Sequence, residues 1–143
     1  MTASYVTPPL GAPTVHAAIN ALRAAGLRVS AARRALLEAL YAAPRPLTAE
    51  ELAAGGDLAS TYRNLDALEG LGLVRHLHRG HGPGLYSPAG ARDHEYAVCE
   101  GCGAIHTFEA SQLDGARAAI ADLCGYAVTF GHFPLVGRCA RCN

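Results

Sequence analysis

The sequence predicts an α+β fold in two parts, helices first and a small mixed α/β unit after, and three observations carry that prediction. Residues 14–69 hold apolar side chains at helical spacing, punctuated by capping residues. From Leu73 the pattern changes to short extended stretches broken by a glycine-rich turn. Five cysteines, Cys99, Cys102, Cys124, Cys139 and Cys142, all lie in the second half, and four of them form two C-x-x-C pairs.

Composition sets the outer bounds. The chain has 143 residues, 50% hydrophobic and 17% charged, with a mean hydropathy of +0.13, which excludes a disordered, highly charged segment. No stretch approaches the roughly 20 apolar residues that span a bilayer, so no membrane partner is expected. The opening Met1 to Pro9 carries no basic residue and no apolar core. It does not read as a secretory signal, and the expected location is the cytoplasm. All twelve basic residues are Arg; residues 1–88 hold eight Arg against six acids (+2), and residues 89–143 four against six (−2). The net charge of zero permits a nucleic-acid partner without arguing for one.

Taken in order, residues 1–13 are rich in Pro and Gly and read as a flexible arm. Thr14 opens a first helix with Val15, Ile19 and Leu22 inward, closed by Gly26. Ser30 caps a second with Ala35, Leu36, Leu37, Leu40 and Tyr41 inward, halted by Pro44 and Pro46. Thr48 with Glu51 is a capping box for a third. After the break Gly55-Gly56-Asp57, Ser60 is expected to cap a fourth helix, Thr61 to Glu69, with Leu65 and Leu68 inward. Leu73 to His78 and Leu85-Tyr86 read as two strands around the turn at 80–84. Helices followed by a hairpin are the order of a winged helix-turn-helix, with helix 61–69 as the element that enters the major groove.

Residues 87–93 have hinge composition, which gives a winged-helix domain over 14–86 and a second domain over 94–143. In the second domain, Tyr96 to Val98 and Ala104 to Phe108 read as strands, and Ser111 with Asp114 as a capping box. A helix to Leu123-Cys124 should stop at Gly125, and one or two strands should cover Tyr126 to Val136. Cys124 ends an apolar stripe of Leu113, Ala116 and Ile120 and is expected in the core. A unit this small needs a structural metal and a partner subunit to supplement its core.

Cys99, Cys102, Cys139 and Cys142 supply that metal site. Each C-x-x-C offers two thiolates, and two pairs 36 residues apart complete a closed tetrahedral Zn²⁺ site. A redox C-x-x-C normally occurs once, in a βαβ setting, and export-dependent disulfides are disfavoured here. A Cys₄ site leaves no open coordination position, and no nucleophile–base pair stands out, so an enzyme with a small-molecule substrate is not expected.

Three stretches resemble the ferric uptake regulator superfamily. Asp57 to Leu65 with Leu68 to Val74 resembles its recognition helix and wing entry, Gly26-Leu27-Arg28-Val29-Ser30-x-x-Arg33 its first DNA-domain motif, and His94-x₄-Cys99-x-x-Cys102-Gly103 with Cys139-x-x-Cys142 its dimerisation domain. The likeness covers residues 14–142. It implies a homodimeric repressor of double-stranded operator DNA, with DNA contacts from Arg28, Arg33, Ser60, Thr61, Tyr62, Arg63 and Asn64. Arg34, Arg75 and Arg79 are further candidates for phosphate contacts.

The resemblance also implies a second, regulatory divalent metal, and here the chain departs from the pattern. At the hinge, His94 matches a ligand, while Tyr96, Thr107, Ser87 or Pro88, and Pro46 stand where ligands are usual. A second family site is matched by Asp93, Glu95, Asp114 and, one place displaced, His132, with His106 and Glu109 as spares. The wing histidines His76, His78 and His81 read as polar wing groups or weak phosphate contacts, and His16 as a surface residue. The reading leans to a zinc-responsive regulator of metal uptake, with Fe²⁺, Mn²⁺ or peroxide response as the alternative. A third reading is a zinc-stapled interaction module without DNA binding, because the stretch from Thr48 to Ser60 is about two helical turns shorter than the resemblance implies.

Overall fold

The computed structural model describes residues 11–78, 82–90, 94–130 and 134–143. Four helices come first: α1 (Val15–Ala24), α2 (Ala31–Ala42), α3 (Ala49–Ala53) and α4 (Leu58–Gly70). The hairpin β1 (Val74–Leu77) and β2 (Leu85–Pro88) follows, then β3 (His94–Cys99), β4 (Ile105–Glu109), a 3₁₀ turn (Ala110–Leu113), α5 (Asp114–Cys124) and β5 (Leu135–Gly137). None of the described helices is long and apolar enough to cross a membrane.

Local chemistry sets the helix starts. The Thr14 side chain accepts from Ala17 N–H, Ser30 from Arg33 N–H, and Thr48 with Glu51 forms the full capping box. α4 departs from expectation: its N-cap is Asp57, whose carboxylate accepts from Ala59 N–H at 3.1 Å, so the helix begins at Leu58 and Ser60 lies inside it. Asp caps as well as Ser, and the Gly55-Gly56 break places Asp57 at the helix entrance.

The helical half has a core of its own. Ile19 and Leu22 of α1, Leu36, Leu37 and Leu40 of α2, and Leu65 and Leu68 of α4 are buried against Leu73, Val74 and Tyr86. Each large side chain buried in this way contributes about 1.5–3 kcal/mol. Ala35 is exposed rather than inward, because the buried stripe of α2 follows Leu36, Leu37 and Leu40. Leu47 extends the hairpin as a third strand position by exchanging backbone hydrogen bonds with Tyr86 at 2.9 and 2.7 Å. The end of the N-terminal arm is pinned: Gly11 N–H donates to Gly72 O, Ala12 N–H to Ala89 O, and Tyr41 Oη–H to Ala12 O.

The second half is a three-stranded sheet in the order β4-β3-β5, with β3 antiparallel to β4 and parallel to β5. It joins the hairpin through an apolar cluster of Leu77, Leu85 and Tyr96, with Ile105 packed on it. Its own core is thin, and α5 has no buried residue. Cys124 is accordingly exposed, correcting the expectation of a core position. The capping box before α5 is formed by Glu109 with Gln112, not by Ser111 with Asp114, and the 3₁₀ turn intervenes. Residues 126–130 form no strand; Phe130 instead lies against the guanidinium of Arg117, 5.2 Å from ring centroid to Cζ.

Candidate metal centre and nucleic-acid interface

The four-cysteine centre is assembled by one strand pairing. β3 ends at Cys99, and a tight turn with Gly103 at φ 75° carries the chain through Cys102, closed by Gly103 N–H to Cys99 O and Cys99 N–H to Ala104 O. Parallel pairing sets Gly137 of β5 beside Cys99, and Glu100 N–H donates to Gly137 O at 2.8 Å. Two residues later Cys139 arrives at the same end of the sheet, and a final turn, Cys142 N–H to Cys139 O, returns Cys142 to it. Gly101 eases the approach, since a Cβ there would lie 3.1 Å from both Cβ and Sγ of Cys142.

All four sulfurs lie within 4.8 Å of one another, and Cys102 Sγ and Cys139 Sγ are 3.8 Å apart. Tetrahedral Zn²⁺ with bonds of about 2.3 Å places its sulfurs about 3.8 Å apart, so donor type and spacing both fit that ion. Electrostatics prepare the site. Backbone N–H groups of Cys139 (3.3 Å) and Cys102 (3.5 Å) donate to Cys99 Sγ and lower its thiol to about 6. Cys139 is lowered too, chiefly by the N–H of Arg141, whereas the sulfurs of Cys139, Cys99 and Cys102 push Cys142 up to about 12. Four thiolates cannot share this volume without a cation.

The candidate groove-reading surface is α4. Thr61, Leu65 and Leu68 face the core, so the opposite stripe of Ala59, Tyr62, Arg63 and Asp66 faces outward. Tyr62 is 38% exposed, and the Arg63 side chain is 73% exposed with only a 4.0 Å approach to Asp57. Thr61 faces the core: it is buried, and its hydroxyl donates to the Asp57 carbonyl at 3.0 Å. Ser60 is half-buried. Arg28 and Arg34 are exposed. Arg33 turns inward, donating to Asn64 Oδ1 at 3.1 Å and to the Arg28 carbonyl at 2.8 Å. Arg75 donates to the His94 carbonyl at 3.0 Å and so links hairpin to sheet.

Among the described residues, the candidate regulatory ligands His94, Glu95 and Asp114 do not gather as one site. His94 lines a cleft of about 370 Å³ between the end of α2 and strands β2 and β3, together with Tyr41, Ser87 and Tyr96. Glu95 and Asp114 do meet, but on Arg117, at 2.6 and 3.4 Å. Asp93, His132, His81 and Arg79 lie outside the described residues. His76 stacks on Tyr86 at 4.7 Å between centroids, with His78 beside it, and exposed His106 lies edge-on to Phe108. Among the described residues, the four cysteines are the one group of three or more His, Cys, Asp or Glu side chains close enough to hold an ion. Sequence reasoning passed over Arg117, although its spacing three residues after Asp114 on a helix was a readable signal for that ion pair.

Residues 24–131 match the model of the ferric uptake regulator family. The chain is 32% identical over 131 residues to the ferric uptake regulation protein of Campylobacter jejuni, covering 85% of this chain and 83% of that one. It is 28% identical over 141 residues to the peroxide operon regulator of Bacillus subtilis, covering 94% and 97%. In structure it resembles the Helicobacter pylori ferric uptake regulator with a TM-score of 0.72 at 19% identity, over 90% of this chain and 93% of that one.

Proposed function

The chain belongs to the ferric uptake regulator family, and from that premise we propose that it is a homodimeric, zinc-stapled repressor acting in the cytoplasm on double-stranded operator DNA. The observation that carries the reading is the outward stripe of α4, where Tyr62 and Arg63 stand exposed on a helix whose other face is locked into the core. Side chains at the N-terminal turns of such a helix reach base edges in the major groove, and Arg pairs bidentately with guanine. Exposed Arg28 and Arg34 supply phosphate contacts that set register without reading sequence.

Zn²⁺ is the ion proposed for Cys99, Cys102, Cys139 and Cys142, where it supplies folding energy and no open position for catalysis. The dimer is supported by the apolar surface left on the second domain: Leu123 is 86% exposed, Tyr126 71% and Val136 58%. Large apolar side chains this open offer area that a partner subunit would cover. A divalent cation tightens operator binding, Zn²⁺ first and Fe²⁺ or Mn²⁺ as alternatives, with His94 in the interdomain cleft as its candidate ligand. A peroxide-responsive regulator is the second reading, favoured by the likeness to the Bacillus subtilis peroxide operon regulator over 94% of this chain.

The experiment is selection of an operator from random duplex DNA, followed by binding with Zn²⁺, Fe²⁺ and Mn²⁺ in turn, before and after hydrogen peroxide. Tighter binding with one cation identifies the effector, and release by peroxide from the Fe²⁺ form selects the second reading. Arg63→Ala should lower operator affinity by about 1–3 kcal/mol while sparing zinc content. Affinity indifferent to Arg63 and to every cation leaves an interaction module and sinks the repressor reading.

A further inference from the structure

The carboxylates of Glu95 on β3 and Asp114 at the start of α5 converge in the second domain as if on a shared cation, and a side chain of this chain already stands there. Arg117 Nη2 donates to Glu95 Oε1 at 2.6 Å, and Nη1 lies 3.4 Å from Asp114 Oδ1 and 2.9 Å from the Ala110 carbonyl that it also serves. One guanidinium face lies over the Phe130 ring at 5.2 Å. The Glu95 side chain is 12% exposed, and its Oε2 is buried without a hydrogen bond among the described residues, so Arg117 is the counter-charge that the structure gives it. We propose that Arg117 is the resident cation of this pocket and that Glu95 and Asp114 hold no divalent metal between them.

The chemistry is that of substitution. A guanidinium stays charged at every physiological pH and matches carboxylate geometry, whereas a divalent ion needs oxygen ligands at about 2.0–2.2 Å and must expel the group already bonded to them. An ion beside an arginine held by Glu95, Asp114, Ala110 and Phe130 would meet the repulsion of a fixed positive charge. The arginine also ties β3, the 3₁₀ turn and α5 together without any metal, so metal response in this chain arises elsewhere than between these two carboxylates.

The test counts metal in the full-length protein saturated with Zn²⁺ or Mn²⁺, by plasma mass spectrometry. Asp114→Asn, at a side chain 75% exposed and so safe for folding, should leave the equivalents per chain unchanged. Arg117→Gln should gain one equivalent, and Arg117→Gln with Asp114→Asn should lose that gain. Loss of an equivalent in Asp114→Asn alone, or anomalous scattering from an ion between Glu95 and Asp114 in crystals of the unmutated protein, overturns the proposal. So does a folded Arg117→Gln that gains none, because the arginine would then not be what keeps the ion out.

Discussion

Arg33 and Asn64, both expected to face DNA, are hydrogen-bonded to each other at 3.1 Å. The second bond of Arg33, to the Arg28 carbonyl at 2.8 Å, makes this arginine a staple between the α1–α2 connection and helix α4. It fixes α4 and the backbone of Arg28 relative to each other.

Arg33→Ala should therefore cost stability, about 1 kcal/mol for one part-buried and one exposed hydrogen bond, while the slope of operator affinity against salt stays as it was. Denaturant unfolding and salt-dependent binding measure the two effects separately. A slope smaller by about one would instead make Arg33 a phosphate contact.

At the metal centre, Cys142→Ser should remove the zinc equivalent and unfold the second domain, because binding free energy at such a site is folding free energy. Hydrogen exchange should show residues 94–143 losing protection while Leu22, Leu37 and Leu65, in a core that contains no part of that domain, keep theirs. A folded, zinc-replete variant would show that the sheet does not need the ion.

Gly90 holds the N-terminal strap. Its φ is +78°, and a Cβ there would lie 2.8 Å from both Ala12 N and Gly11 Cα. Gly90→Ala should destabilise by about 1–3 kcal/mol. Gly26→Ala, at φ +76° with nothing within 4 Å, isolates the backbone contribution alone and should cost less in the same thermal melts.

Glu51 makes the α3 cap sensitive to acid. The Arg45 guanidinium at 2.7 Å, aided by Thr48 N–H, lowers its carboxyl to about 2. A depressed carboxyl contributes its stability above the unfolded value of about 4.3, and that contribution fades as pH falls towards 2. The pair is exposed, so the effect on overall stability is small. NMR titration of the Glu51 carboxyl carbon should give a midpoint near 2 that rises in Arg45→Ala.

Much of this molecule was legible as a string. Four helices, the hairpin, the β–β–α–β order and the cysteine quartet follow from periodicity, caps and spacing, which act over a few residues. Expectation and structure parted where two local signals competed: Asp57 took the N-cap from Ser60, and the box Glu109–Gln112 formed in place of Ser111–Asp114. The fates of Thr61, Cys124 and Arg33 were not legible, since each depends on which side of a helix the rest of the chain covers.

The sequence by itself determined the two-part α+β order and the four sulfurs that belong together, because C-x-x-C spacing presents thiolates in pairs wherever the chain runs. Only the tertiary structure decided how β5 docks parallel to β3 to close the quartet, and that Glu95 and Asp114 meet on an arginine. Those outcomes depend on long-range pairing and on competition among charges for one counter-ion, and neither is written in local spacing.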